Sequence, residues 1–207
     1  MSDVSVTDGE IKQAWDALKK TGAYLKGHFE RAPGGPHYGD YFQIPIAMQY
    51  TRNARLLSAV MGRVMRLSGM FHGIDRSRRT TMLAPVDAGV PVAFWAGEQL
   101  DVDRIIWSTN TNGKWGLRPF INLDKADQVM IVDDLIHTGK TLGGVVDFVK
   151  GTGASVLGIS VIVDRRADPK KDFKGLRVHS ALQLPAVTFD AKKCPLCKKG
   201  EALVKLG

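Results

Sequence analysis

The sequence predicts an α/β protein built on a doubly wound, mainly parallel sheet covered by helices on both faces. Three observations carry this. The runs Val129–Val132 and Ala154–Val163 are apolar and rich in β-branched residues, as strands buried on both faces must be. Leu142, Val145, Val146 and Val149, lying between those runs, recur at helical spacing. From about residue 80 onward, strand-like and helix-like segments alternate, which is the signature of βαβ units.

The elements follow in order. Thr7 and Glu10 form a capping box ahead of Ile11, Ala14, Trp15 and Leu18, and Gly22 stops that helix. Residues 27–45, with Gly34, Gly35, Pro36, Tyr38, Tyr41 and Phe42, read as an ordered loop with short strands. Leu56, Leu57, Val60, Met61, Val64 and Leu67 mark an amphipathic helix from about Tyr50 to Ser68. Thr81–Ala84 is a strand, followed by a Pro85–Gly89 turn and a short helix near Pro91–Ala96. Arg104–Ser108 is a strand that runs into the uncharged stretch Thr109–Asn112, where Asn112-Gly113 is also a hairpin signal. A strand over 129–132 leads into a loop over 133–141, then a helix from near Thr141 to Gly151 or Gly153; the next strand ends at Asp164.

Composition sets limits. With 207 residues, 44% of them hydrophobic, the chain can bury a full core, and its length fits one domain. The apolar runs fall well short of the roughly 20 residues of a membrane helix. Asp3, Asp8 and Glu10 near the N-terminus, with no apolar segment beside them, lead us to expect no secretory leader and a cytoplasmic location. The net charge of +8, concentrated in Arg76–Arg79, Arg165–Lys174 and Lys192–Lys199, suits a polyanionic ligand. Nucleic acid would fit that charge as well, but no DNA-binding module is evident. Cys194 and Cys197 form a Cys-x-x-Cys pair; tetrahedral zinc would need two more ligands, and His179 is the nearest histidine in sequence. A reduced pair packed in the tail, a metal site shared between two copies, and a disulfide all stay open. His28, His37 and His72 have no partner evident in the sequence and are given structural roles.

The chemistry is concentrated in residues 129–142. Four buried apolar residues end in Asp133 and Asp134, and His137-Thr138-Gly139-Lys140-Thr141 then opens a helix. Ligands of parallel sheets bind at the carboxyl ends of strands, and a helix N-terminus favours an anion. Acids beside a phosphate cradle suit a phosphorylated sugar, whose vicinal hydroxyls donate to the carboxylates while its phosphate docks in the loop. A Walker A loop is excluded, because its first glycine would fall at Asp134.

This segment resembles the signature of type I phosphoribosyltransferases for 5-phosphoribosyl 1-pyrophosphate (PRPP). Other stretches resemble the orotate branch of that family: Gly27-His28-Phe29 with Tyr41-Phe42-Gln43, Ala84–Gly89, Gly113-Lys114 with Leu117-Arg118, Val163-Asp164-Arg165, and the Cys194–Gly200 tail. The resemblance implies the family's fold, with a core over about 46–179 and a small hood from about 1–45 and 180–207. It implies PRPP contacts from Asp133, Asp134 and 137–141, from Val86, Asp87, Ala88 and Gly89, and from Lys114 and Arg118 on a mobile loop, with Asp133, Asp134 and Lys114 catalytic. Tyr41, Phe42 and Arg165 would contact the base. Mg²⁺ would be held mainly by PRPP oxygens and water, and the enzyme would be a homodimer. Three departures stand out: Ser108–Asn112 carries no charge where members often have cations, Ala32 falls where many orotate enzymes have lysine, and Lys140 within Thr138-Gly139-Lys140-Thr141 resembles purine-type members. An orotate phosphoribosyltransferase is the expected function. A transferase for another base, such as a purine, and a non-catalytic PRPP-sensing regulator that binds nucleic acid are the alternatives.

Overall fold

Thr7 caps the first helix as its spacing requires. Its hydroxyl accepts from the Glu10 N–H at 3.2 Å, and the Glu10 carboxylate accepts from the Thr7 N–H at 2.9 Å. The computed structural model describes residues 6–85 and 87–206. Helix α1 (Asp8–Lys20) is followed by the strands β1 (Tyr24–Glu30) and β2 (His37–Phe42), an antiparallel pair. Helices α2 (Ile44–Met48) and α3 (Thr51–Leu67) precede the alternating part: β3 (Arg79–Ala84), α4 (Gly89–Leu100), β4 (Arg104–Trp107), β5 (Thr109–Thr111), β6 (Lys114–Gly116), β7 (Asp127–Ile136), α5 (Lys140–Gly151), β8 (Ser155–Asp164) and β9 (Val178–Gln183). The chain ends with β10 (Thr188–Phe189), a 3₁₀ turn (Ala191–Lys193), α6 (Pro195–Lys198) and β11 (Val204–Lys205).

Five strands form the main sheet in the order β4-β3-β7-β8-β9, with every neighbouring pair parallel. Side chains of β7 alternate between two cores. Met130 and Val132 join α3 and α4 on one face, through Val60, Met61, Val92 and Ala96; Val129 and Ile131 join Leu142, Val145 and Val149 of α5 on the other. The helix after β3 thus covers one face and the helix after β7 the other. The crevice between β3 and β7 is therefore the topological switch point, where ligands of such sheets bind. A second sheet, in the order β10-β2-β1-β11, is woven from both ends of the chain.

The structure corrects two local readings and bears out the hairpin signal at Asn112-Gly113. The short helix expected near Pro91–Ala96 extends over Gly89–Leu100. The uncharged stretch after β4 is a β5–β6 hairpin turning at Asn112 and Gly113, both at positive φ (53° and 82°). The strand expected over 129–132 runs from Asp127 to Ile136, so both carboxylates lie within the strand and the loop is shorter than 133–141. The partner strand explains this: β8 pairs with β7 as far as Ile136↔Asp164, which keeps the backbone extended beyond the apolar run.

At the opposite end of the sheet, Asp127 is fully buried and gathers three strands. Its carboxylate accepts from Thr81 at 2.9 Å, from Arg104 at 2.7 Å and from Arg79 at 3.0 Å. Replacing Asp127 by Ala leaves these donors facing a void. Because Arg79 is half-exposed and can rehydrate, the loss is expected at the low end for a broken buried pair, about 3 kcal/mol. Urea denaturation of Asp127→Ala at neutral pH checks it; a loss below about 1 kcal/mol would mean that the strand ends are held by packing alone.

Candidate active site

Strand β7 outlasts its neighbour. Pairing with β3 ends at Leu83↔Ile131, whereas pairing with β8 continues five residues further. Past Ile131 the β3-facing edge of β7 is open, and a cleft of about 910 Å³ lies there. Asp133, Asp134 and residues 135–142 form its floor, and Arg31, Ala32, Tyr38, Tyr41, Phe42 and Ala88 also line it.

The two carboxylates are almost fully buried, at 7% and 8% exposure. Burial, reinforced by the charge of Asp134, raises the Asp133 pKa well above its ordinary value. Burial also pushes Asp134 up to about 6, although the Leu135 N–H donates to its Oδ1 at 2.7 Å and Arg31 contributes positive charge. No cation is ion-paired to either acid among the described residues. The pair is poised to accept hydrogen bonds from a ligand's donors.

Around the acids, two glycines make room. A Cβ on Gly89, the first residue of α4, would lie 2.7 Å from Asp133 Oδ1, so only glycine lets that helix start against the carboxylate. Gly139 caps α5 at φ 77°, and a Cβ there would lie 2.3 Å from the Phe173 ring. It turns the chain so that the first-turn N–H groups of α5, which lack intrahelical partners, follow directly on the loop, where the Lys140 N–H donates to the Thr138 hydroxyl at 3.4 Å. Thr138, Lys140 and Thr141 line the cleft here, with Lys140 exposed. His137 meets Tyr38 edge-on at 6.0 Å; burial, then the charges of Arg165 and Arg31, lower its pKa and keep the ring neutral at pH 7.

Beneath the second sheet the cleft narrows into a small cavity lined by Arg31, Tyr38, Asp40, Tyr41, Phe42, His137 and Arg165. Arg165 is buried, forms an ion pair with Asp40 and lies with its guanidinium 4.7 Å from the centre of the Phe42 ring. Its Nε is buried without an acceptor, an unspent donor beside the cavity. Phe42 packs with Trp15 and Tyr24, and Tyr41 with Phe29, so both aromatics serve the core while walling the cavity.

The structure therefore brings together Asp133, Asp134, residues 137–141, Ala88, Gly89, Tyr41, Phe42 and Arg165. Val86 lies outside the described residues, and Asp87, at φ 71°, is exposed and does not line the cleft. Lys114 and Arg118 also lie off the cleft; the β5–β6 hairpin, which carries Lys114, packs on α5 through Trp115. Sequence reasoning missed Arg31, Tyr38 and Asp40. Arg31, next to Ala32, was legible as a cation in the family's lysine region; Asp40 carried no signal, because its partner lies 125 residues away.

A switch-point cleft with two buried acids on the central strand and an anion-ready helix start is the site of a phosphoribosyl-transferring fold. The profile of the family described as "Phosphoribosyl transferase domain" matches residues 73–189, more than half of the chain. The chain belongs to the phosphoribosyltransferase family. Among its relatives, the orotate phosphoribosyltransferase of Desulforamulus reducens is 32% identical, with 93% of this chain and 94% of the relative covered. That of Chlorobaculum parvum is 33% identical over 88% of each chain. The crystal structure of orotate phosphoribosyltransferase from Aeropyrum pernix shares the fold at a TM-score of 0.64 and 20% identity, over 89% of this chain and 97% of that one.

The raised acids make a pH signature. An aspartate whose folded pKa exceeds its unfolded value of about 3.9 subtracts stability as pH rises, from the unfolded pKa until the folded one is passed. Wild type should lose stability from about pH 4 to beyond the Asp134 value of about 6. Asp133→Asn/Asp134→Asn keeps an acceptor at each position and should escape that loss, while releasing no pyrophosphate from PRPP. Urea midpoints at pH 5 and pH 8 test this; a wild-type-to-variant gap that does not widen at pH 8 would mean that the acids ionise freely in the fold.

Proposed function

We propose that the chain is an orotate phosphoribosyltransferase that forms orotidine 5′-phosphate and pyrophosphate from orotate and PRPP, in pyrimidine nucleotide biosynthesis. The observation that carries this is the buried Asp133–Asp134 pair, ion-paired to no cation among the described residues, beside the α5 N-terminus and next to a cavity lined by a buried arginine. Its relatives at about one-third identity bear the orotate name.

In this reading the ribose hydroxyls donate to Asp133 and Asp134, and the 5′-phosphate accepts from Thr138, Thr141 and the first-turn N–H groups of α5. The pyrophosphate lies towards Ala88 and Gly89, where Gly89 starts α4 beside Asp133. The bond from C1′ to pyrophosphate oxygen breaks as positive charge develops on the ribose, and the base nitrogen supplies the electron pair of the new bond. No side-chain nucleophile is needed, so catalysis is positioning plus neutralisation of the leaving charge. The hard carboxylate oxygens of Asp133 and Asp134 fit a divalent cation held mostly by ligand oxygens and water. Magnesium so held would neutralise pyrophosphate. The four-stranded sheet would act as the hood of a single domain, with Tyr41 and Phe42 walling the base.

Pyrophosphate release from PRPP, assayed with orotate, hypoxanthine, guanine and adenine, should occur with orotate alone; use of a purine instead would move the reading to another base. Arg165 sharpens this test. Its unspent Nε and planar fork suit a carboxylate, and Arg165→Lys keeps a charge for Asp40 while losing the fork. The orotate KM should rise roughly ten- to hundredfold, as for a charge-assisted bond of about 1.5–3 kcal/mol, with the PRPP KM nearly unchanged. Equal rises in both would restrict Arg165 to holding the hood.

Lys114 and Arg118, off their own cleft, serve best across a homodimer, closing over the neighbour's departing pyrophosphate. The exposed Phe94 and Phe120 supply apolar surface for association. If the loop works across subunits, mixing inactive Lys114→Ala with inactive Asp134→Asn should restore up to about a quarter of wild-type kcat, since half of randomly paired dimers then hold one intact site of two. No recovery, under conditions where subunits exchange, would confine the loop to its own chain.

A further inference from the structure

Away from the cleft, the Cys-x-x-Cys pair is joined by the two histidines that the sequence left without partners. His28 lies on β1, His37 on β2, and Cys194 and Cys197 flank the start of α6. One ligand atom from each meets the others within 4.8 Å. Four of the six separations lie near those of a coordination shell, within a set whose members all fall inside 4.8 Å of one another. Cys194 Sγ and Cys197 Sγ lie 3.5 and 3.6 Å from His28 Nε2, Cys197 Sγ lies 3.3 Å from His37 Nδ1, and the two ring nitrogens are 2.8 Å apart. A tetrahedral ion at about 2.05 Å from nitrogen and about 2.3 Å from sulfur sets N···S edges of about 3.6 Å and an N···N edge of about 3.3 Å. The first three distances match that figure closely, and the fourth needs only a small outward shift of one ring.

The surroundings favour the same assignment. His28 Nδ1 lies 2.9 Å from the carbonyl oxygen of Glu201, which can only accept. That fixes the proton on Nδ1 and turns the Nε2 lone pair inward, the outer bond that metal-bound histidines commonly make. Both cysteines are free thiols. The tail has little else to hold it: α6 has four residues, and no residue of α6 or of the 3₁₀ turn before it is buried. A four-residue helix does not stand on its own hydrogen bonds, and β11 pairs with β1 through two residues only.

We propose that His28, His37, Cys194 and Cys197 form a structural zinc site that fastens the C-terminal tail to the β1–β2 hairpin. Four protein ligands close the coordination sphere, so the ion has no open position for chemistry. The two thiols give up their protons as the ion binds. Its consequence reaches the cleft through β2, which carries His37 at one end and Asp40, Tyr41 and Phe42 further along.

The full chain, purified under reducing conditions without chelator or affinity metal, should contain about one zinc per chain by elemental analysis. Refilled with Co²⁺ after chelation, it should show the intense visible bands of tetrahedral cobalt and a near-ultraviolet thiolate charge-transfer band. Cys197→Ser, at an exposed position, should fold, lose those thiolate features in part and bind zinc at least about 100-fold more weakly, beyond the loss typical of an outer-shell partner. His37→Ala should behave alike, and both variants should be cut by protease within the tail faster than wild type. Absence of stoichiometric zinc together with no tetrahedral cobalt spectrum would overturn the proposal. So would zinc retained undiminished by both variants, or a Cys194–Cys197 disulfide in the reductively purified chain by thiol titration.

Discussion

Two carboxylates held side by side away from water are the constraint around which the site is arranged. Like charges in a poorly hydrated place resist ionisation, as the raised values of Asp133 and Asp134 record. Such an arrangement persists only where the backbone leaves no alternative. Here β8 supplies it by pairing along the whole exposed length of β7, so the acids cannot swing out without breaking a parallel ladder. The helix that starts at Gly89 closes the other side. The discomfort of the pair would be relieved by hydroxyl donors or a cation, which in the proposed function ties the instability of the acids to affinity for a ligand bringing either.

The second sheet depends on that core and on little of its own. Its main buried polar link to the main sheet is the ion pair between Asp40 and Arg165, with the Phe42 ring against the guanidinium. A buried pair of this kind contributes little net stability, because desolvation offsets attraction, but it penalises every other register of β2. The second sheet is thereby held in one position relative to His137 and the acids. Fastening of the tail by His28, His37, Cys194 and Cys197 acts on the other end of the same strand. A strand fixed at both ends keeps Tyr41 and Phe42 where a flat ligand can lie against them.

Local pattern made most of the main sheet legible. Buried parallel strands show as apolar runs, capping shows as Thr7 and Glu10, and the helix of Leu142 to Val149 shows as periodicity; each is a property of neighbours in sequence. What was not legible depends on distant partners. Nothing around Asp133 says that the strand continues through it, because the instruction comes from β8. Likewise nothing near Asp40 announces Arg165, and the tail cysteines pointed to His179 when the fold brings His28 and His37, more than 150 residues away. The hairpin at Asn112-Gly113 was readable from its turn residues; its distance from the acids was not, since that depends on how Trp115 packs on α5.

Burial also divides the electrostatic work of the cleft. The acids are inside and close together, where a hydrogen bond to a hydroxyl is strong and selective because water competes poorly. Apart from the buried Arg165, the cations lie outward: Lys140 and Lys114 are exposed, and much of the +8 balance sits in the runs 76–79, 165–174 and 192–199. An exposed cation contributes little to a fixed contact, but a field of them attracts a polyanion from solution and is weakened by salt. In the proposed function, a ligand carrying four or more negative charges and two vicinal hydroxyls would satisfy both halves, drawn in by the outer charge and retained by the inner acids. A simple polyphosphate answers only the first half, and a neutral sugar only the second. The uncharged stretch Thr109–Asn112 forms the first strand and turn of the hairpin, away from the acids, so its lack of cations leaves the floor of the cleft unchanged.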